Sequence, residues 1–239
     1  MIDKNEEIRQ FLDNIPDTFQ IMETGVDIQT QKEYLDYSES FDRGELTDEQ
    51  TSHLGSILRL PRIPMADKKK TLTLLAHLGT ISAYRQIENY YESGDPEVKP
   101  WAALALQECR MFLESTLLDM STGFIASGLG GLKDKMRFYS LLLPMTDMRF
   151  SAAQHEIMRT ELECVAKDLN CNVENLFPAD TFLGLTALVS NDVAVGTFIE
   201  TAIQQSNASD NFVFEHYYVT NQNIPDEAEI KDIIGKVRA

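Results

Sequence analysis

The sequence predicts an α+β protein, with an α-helical N-terminal part over residues 1–118 and a small mixed α/β sheet domain over residues 119–239. Three observations carry this reading. From Lys70 to Leu118 apolar residues recur at steps of three and four, which is one face of an α-helix. After Leu118 the pattern changes to short runs rich in aromatic and aliphatic residues, as strands require. Those runs then alternate with helical patterns in the order ββαβαβα. Such alternation argues for parallel neighbours joined by right-handed crossovers, in a sheet of about four strands with one antiparallel pair.

Composition narrows the class further. The 239 residues are 43% hydrophobic and 25% charged, ordinary for a soluble globular chain. No run approaches the length of apolar sequence that a membrane span needs, and the N-terminus has no basic stretch leading into an apolar one. A cytoplasmic protein is expected. Cys109, Cys164 and Cys171 are odd in number and lack Cys-x-x-Cys spacing, which fits neither a disulfide framework nor a zinc ribbon. The net charge of −17 is unevenly spread. Residues 1–60 hold 5 Lys+Arg against 14 Asp+Glu, residues 61–150 hold 11 against 10, and residues 151–239 again hold 5 against 14. A polyanion would be repelled by most of this surface, so nucleic acid is a poor partner.

Residues 1–65 read as short helices. Glu6–Leu12 and the segment around Tyr34–Phe41 show helical spacing, and Phe19–Met22 is a short apolar patch. Thr47 with Gln50 three residues on has the form of a capping box, opening a helix through Leu58 that Pro61 and Pro64 stop. From Lys70, the positions Leu72, Leu75, Ala76, Gly79, Ala83, Ile87 and Tyr90 lie on one helical face. Gly94 reads as a left-handed cap, with Asp95 and Pro96 opening the next helix. That helix carries Val98, Ala102, Ala105, Leu106, Cys109, Phe112 and Leu113, and Pro100 within it marks either a kink or its true start. The short connection makes the two helices antiparallel.

The residues Leu75-Ala76-His77-Leu78-Gly79, Ala83, Gly94-Asp95-Pro96-Glu97-Val98-Lys99 and Ala102–Leu106 resemble a HEAT-like repeat of the bacterial type, one helical hairpin over about residues 72–115. The resemblance implies an α-solenoid unit that displays a surface to protein partners.

Beyond Leu118, Thr122–Ser127 and Arg137–Leu143 read as a hairpin around the loop Gly128-Leu129-Gly130-Gly131. Phe150–Leu169 is helical with Ser151 near its cap, and Phe182–Val189 is strand-like. Asn191-Asp192 precede a helix through Ile203, and Asn211–Thr220 form an aromatic strand. Pro225-Asp226-Glu227 open a last helix.

The most suggestive constellation is Gly128, Gly130 and Gly131 with Lys133, Lys135 and Arg137, because glycine-loop amides can cradle an anion beside cations. With Lys68, Lys69 and Lys70 these residues form a candidate patch for an acidic partner or RNA. The phosphate-loop pattern is absent, and a strand rather than a helix follows. His155-Glu156 lacks a second histidine at position 159, which is Arg, and His53, His77, His155 and His216 have no metal spacing. No catalytic residue, cofactor or metal is expected. The leading expectation is a non-enzymatic interaction or scaffold protein with a protein partner or a homo-oligomeric state. The alternatives are an enzyme or small-ligand sensor with its site at the strand ends of the α/β domain, and an RNA- or ribosome-surface binder.

Overall fold

A computed structural model describes residues 18–40, 46–60, 62–145 and 149–238. Among them a run of helices precedes a part that mixes strands and helices, an α+β protein with an N-terminal helical part. Contacts divide the chain into two compact units: residues 1–22 with 28–126, and residues 23–27 with 127–239. The expected helix at Glu6–Leu12 lies outside the described residues, as does the end of the Tyr34–Phe41 pattern.

The first unit begins with β1 (Thr18–Ile21) and the helices α1 (Ile28–Ser38), α2 (Asp48–Leu58), α3 (Met65–Leu78), α4 (Ile81–Ser93) and α5 (Lys99–Leu118). Thr47 and Gln50 close the predicted capping box at α2. The single helix expected from Lys70 to Tyr90 is two helices. Gly79 adopts φ 56°, ends α3, and hands the chain to Thr80, whose hydroxyl accepts the Ala83 amide and starts α4. A Cβ at Gly79 would sit 2.7 Å from Phe112 Cβ, so close approach of α5 fixes glycine there. Gly94, by contrast, has φ −83° and is no left-handed cap. Pro100 lies in the first turn of α5, so that helix starts at the proline rather than kinking.

Lys99 over the Tyr91 ring and Cys109 beside Thr80 show α4 and α5 running antiparallel. Thr73–Trp101 and His77–Glu108 show α3 and α5 running parallel. Leu72, Leu75, Ala76, Ala83, Ile87, Trp101, Leu104 and Cys109 are buried at their interface. A fully buried leucine here contributes about 2 kcal/mol. The strand β2 (Thr122–Ile125) pairs with β1, parallel, from Thr18↔Thr122 to Ile21↔Ile125. It therefore belongs to the helical unit, and the hairpin expected between it and Arg137–Leu143 does not form.

The second unit contains β3 (Gly131–Leu132), β4 (Lys135–Pro144), α6 (Ala152–Asp168), β5 (Asn172–Ala179), β6 (Phe182–Ser190), α7 (Val195–Ser206), β7 (Val213–Thr220) and α8 (Glu227–Val237). Ser151 and Asp226 cap α6 and α8 through capping boxes, whereas α7 starts at Val195 after Ala194 without a side-chain cap from Asn191 or Asp192. The sheet order is β5-β6-β4-β7, with β3 on β4, and every neighbouring pair is antiparallel. The parallel neighbours expected from alternation are replaced for a definite reason. The strand β5 turns back at Asp180-Thr181 into β6, which inserts between β4 and β5. The parallel strands β4 and β5, and likewise β6 and β7, are then each one strand apart. The βαββαβ order with this arrangement is the ferredoxin-like split βαβ topology.

Alternation along β4 serves two cores. Leu142 faces α6 and α7 among Met158, Leu162, Val165, Phe198, Ile199 and Ile203. Tyr139, Leu141 and Leu143 face the other way, against Ile230, Ile233, Ile234 and Val237 of α8. The strand β5 was not expected from sequence. It is polar, bulged between Val173 and Asn175, and carries Pro178, all features of an edge strand.

Candidate functional site

The glycine loop is assembled by backbone contact. The Leu129 amide donates to the Asn221 carbonyl at 2.9 Å, Gly131 to Glu23 at 3.3 Å, and Gly130 to Ser127 at 3.3 Å. A Cβ on Gly128 would lie 1.7 Å from the Gln222 carbonyl oxygen, and one on Gly130 (φ 68°) 2.2 Å from that of Glu23. Three segments, 23–25, 127–131 and 221–222, meet here at backbone distance, and only glycine allows it. The amides that would cradle an anion already serve carbonyls.

The neighbouring cations diverge. Lys133, at φ 58° in the β3–β4 turn, is exposed. Lys135 donates to Asn170 and Asn172 Oδ1 at 3.1 and 2.7 Å. Arg137 makes a two-pronged bond to Glu174 at 2.5 and 2.8 Å and donates to the Leu129 carbonyl, which holds its guanidinium pKa up, chiefly through Glu174. Arg137 thus ties the loop to β5.

A second constellation, absent from the sequence reading, lies inside the helical unit. Tyr34 Oη and Ser38 Oγ, one turn apart on α1, both donate to the Glu108 carboxylate at 2.6 Å. His77 Nε2 lies 2.8 Å from Ser38 Oγ and 3.5 Å from Glu108 Oε2. Serine, histidine and glutamate in contact suggest nucleophilic catalysis, but the proton inventory runs backwards. Ser38 has one proton, and Glu108 takes it, so His77 Nε2 must donate to Ser38 and cannot act as its base. The carboxylate sits at the same imidazole nitrogen as the serine instead of orienting the far one. Tyr34, Ser38, His77 and Glu108 are all buried. Burial, followed by the Glu108 charge, raises the Tyr34 pKa well above its ordinary value. This is a structural network joining α1, α3 and α5. Its sequence signal was Glu108 itself, an acid one turn from Ala105 and next to Cys109 on an apolar face.

No group of His, Cys, Asp and Glu side chains suited to a metal ion occurs among the described residues. No helix there is long and apolar enough to cross a membrane. The cysteines separate by burial: Cys109 and Cys171 are buried and Cys164 is exposed. Burial pushes the Cys109 thiol up to about 12. Native protein treated with a thiol-reactive dye at pH 8 is therefore expected to label Cys164 rapidly, and Cys109 and Cys171 only after denaturant. Rapid native labelling of Cys109 would contradict the buried α3–α5 interface.

Three cavities have different characters. One of about 280 Å³ lies between β7 and α8, lined by Tyr218, Asn223, Pro225, Glu229, Asp232, Ile233, Lys236 and Val237. One of about 370 Å³ in the helical unit is crossed by the Lys68–Asp95 ion pair at 3.0 Å. The third, of about 520 Å³, is an apolar groove between α2 and α3 lined by Leu46, Glu49, Gln50, His53, Leu54 and Leu74.

No protein-family model matches the sequence, and no curated protein matches it. Among solved structures, a REP-associated tyrosine transposase bound to a REP hairpin is similar at 10% identity and a TM-score of 0.32, over 45% of this chain and 70% of that one. A likeness this slight establishes neither a family nor an activity.

Proposed function

We propose that the chain is a non-enzymatic protein-interaction protein whose HEAT-like helical unit engages a partner segment in the α2–α3 groove. The groove carries the proposal. Leu46, Leu54 and Leu74 supply an apolar floor at least as large as a side-chain-binding pocket needs, and Glu49 with His53 lines its rim. Asp48 and Glu49, in the first turn of α2, favour a partner helix with an apolar stripe flanked by Lys and Arg. The buried polar network supports the same reading, because its hydroxyl protons are committed to Glu108 and none is poised for chemistry.

Affinity capture from the native cell should recover a stoichiometric protein. Leu54→Glu and Leu74→Glu, each adding a like charge to the groove, are expected to abolish that recovery with the fold retained by circular dichroism. Capture of the same protein by both variants would refute the groove. Consistent recovery of the chain alone as a monomer would refute the interaction role.

A further inference from the structure

One cavity of the helical unit gathers more hydrogen-bond donors than its own walls use. The cavity of about 370 Å³ is lined by Arg59 at the end of α2, Lys68 on α3, Tyr90 and Ser93 on α4, and Gly94 and Asp95 just after it. Tyr90 is 3% exposed, and its hydroxyl has no hydrogen-bond partner among the described residues. Buried hydroxyls are nearly always paired, so an orphan on a residue of the cavity wall points to a group that binds there. A Cβ at Gly94 would lie 2.8 Å from Tyr90 Cζ, which puts the hydroxyl end of the ring against this stretch of the wall. Lys68 donates to Asp95 at 3.0 Å and Arg59 to Gln86 at 3.0 Å. Their other side-chain N–H groups have no acceptor among the described residues. The Lys68 ammonium pKa is held up chiefly by Asp95, with the Tyr90 phenol contributing, so lysine and tyrosine are neighbours.

We propose that this cavity binds the phosphate group of a small phosphorylated ligand. Arg59 and Lys68 against Asp95 leave its wall at +1, a local reversal of sign on a chain of −17. Arg59, Lys68 and Tyr90 each bring an unspent donor, which suits the three terminal oxygens of a phosphate monoester better than the two of a carboxylate. Asp95 does not cancel the site. Its other oxygen accepts the Glu97 amide at 3.1 Å, so it anchors the Lys68 ammonium at the cavity. The volume falls in the range of small-ligand pockets, about 300–1,000 Å³, and exceeds what a bare phosphate fills. The organic part of the ligand takes the remainder, beside Leu58 and Leu60. The site shares no lining residue with the α2–α3 groove, so the two readings stand or fall separately.

Isothermal titration calorimetry of the full chain tests it, with inorganic phosphate and glycerol phosphate as probes and ionic strength held constant with NaCl. Saturable binding of one anion per chain is expected, with glycerol phosphate the tighter of the two. Arg59→Gln should weaken both about tenfold, the loss expected for one charge-assisted hydrogen bond. Tyr90→Phe should weaken both about threefold or more. It should leave the unliganded protein as stable as wild type in a denaturant titration, because the hydroxyl it removes has no partner. Arg59 is exposed, so its variant reports binding without disturbing the core. Lys133→Glu, in the other unit, should bind both probes as wild type does. Absence of saturable binding overturns the proposal, as does wild-type affinity in either Arg59→Gln or Tyr90→Phe. Loss of binding in Lys133→Glu would place the anion at the glycine loop instead, and inorganic phosphate as the tighter probe would rule out the monoester.

Discussion

Replacing Glu108 by alanine is expected to destabilise the helical unit by about 3–5 kcal/mol, the scale for removing one partner from a buried charged network. The carboxylate accepts from Tyr34 and Ser38 at 2.6 Å and lies 3.5 Å from His77 Nε2. Its loss leaves two buried hydroxyls without their acceptor on helix α1. Glu108→Gln keeps one carbonyl acceptor and should cost less, about 1–2 kcal/mol. The readout is built in, because Trp101 is the sole tryptophan and is 3% exposed on α5. Denaturant titration followed by its fluorescence reports this unit. The same network sets a pH limit. The folded state holds Tyr34 neutral, with its pKa raised chiefly by burial and then by Glu108, whereas an unfolded tyrosine ionises near pH 10. The Tyr34 contribution is therefore complete below about pH 10 and is lost as pH rises beyond it. A Glu108→Ala protein within about 1 kcal/mol of wild type would show that the network is not what holds α1 in place.

What the sequence disclosed follows from how local each signal is. The caps Thr47, Ser151 and Asp226 were legible because a hydroxyl or carboxylate and a residue three positions on settle the geometry between them. The apolar faces of α3, α4 and α5 were legible from their spacing, but the break at Gly79 was not. Gly79 ends α3 in a left-handed conformation and Thr80 caps α4, a signal that the continuous apolar stripe overrides, and the contact with Phe112 that excludes a Cβ at Gly79 is long-range. Strand partners were hidden for the same reason. The run Thr122–Ile125 looks equally suited to β4 and to β1, and only the assembled chain decides for β1. The strand β5 escaped notice because an exposed edge strand need not alternate apolar and polar residues. The glycines at 128, 130 and 131 stand out in the sequence, but the backbone contacts the loop makes to residues 23–25 and 221–222 are long-range and leave no local pattern. The buried Ser38–His77–Glu108 contact draws on three helices and has no spacing signature beyond an acid on an apolar stripe.

Gly128→Ala is expected to cost the second unit about 3 kcal/mol, toward the upper end for overpacking, because the obstacle is backbone and not a side chain that can swing aside. The added Cβ would lie 1.7 Å from the Gln222 carbonyl oxygen, and relieving that contact means separating 127–131 from 221–222. The Leu129–Asn221 hydrogen bond at 2.9 Å and the Gly131–Glu23 bond at 3.3 Å would open with it. Hydrogen exchange offers the direct measurement, with protection lost at the Leu129 and Gly131 amides while the centre of β4 and β6 stays slow. Lys133→Glu is the matched control. Its side chain is exposed at the turn, so the change should stay within about 0.5 kcal/mol. The contrast separates the two roles a glycine loop can have. In an anion-binding loop, Gly128→Ala and Lys133→Glu would both weaken binding, and stability would hardly move. In a loop that exists to bring three chain segments together, the glycine variant unfolds at lower denaturant and the lysine variant does not. A Gly128→Ala protein as stable as wild type would mean that the 221–222 segment yields freely, and the packing role assigned to the loop would fall.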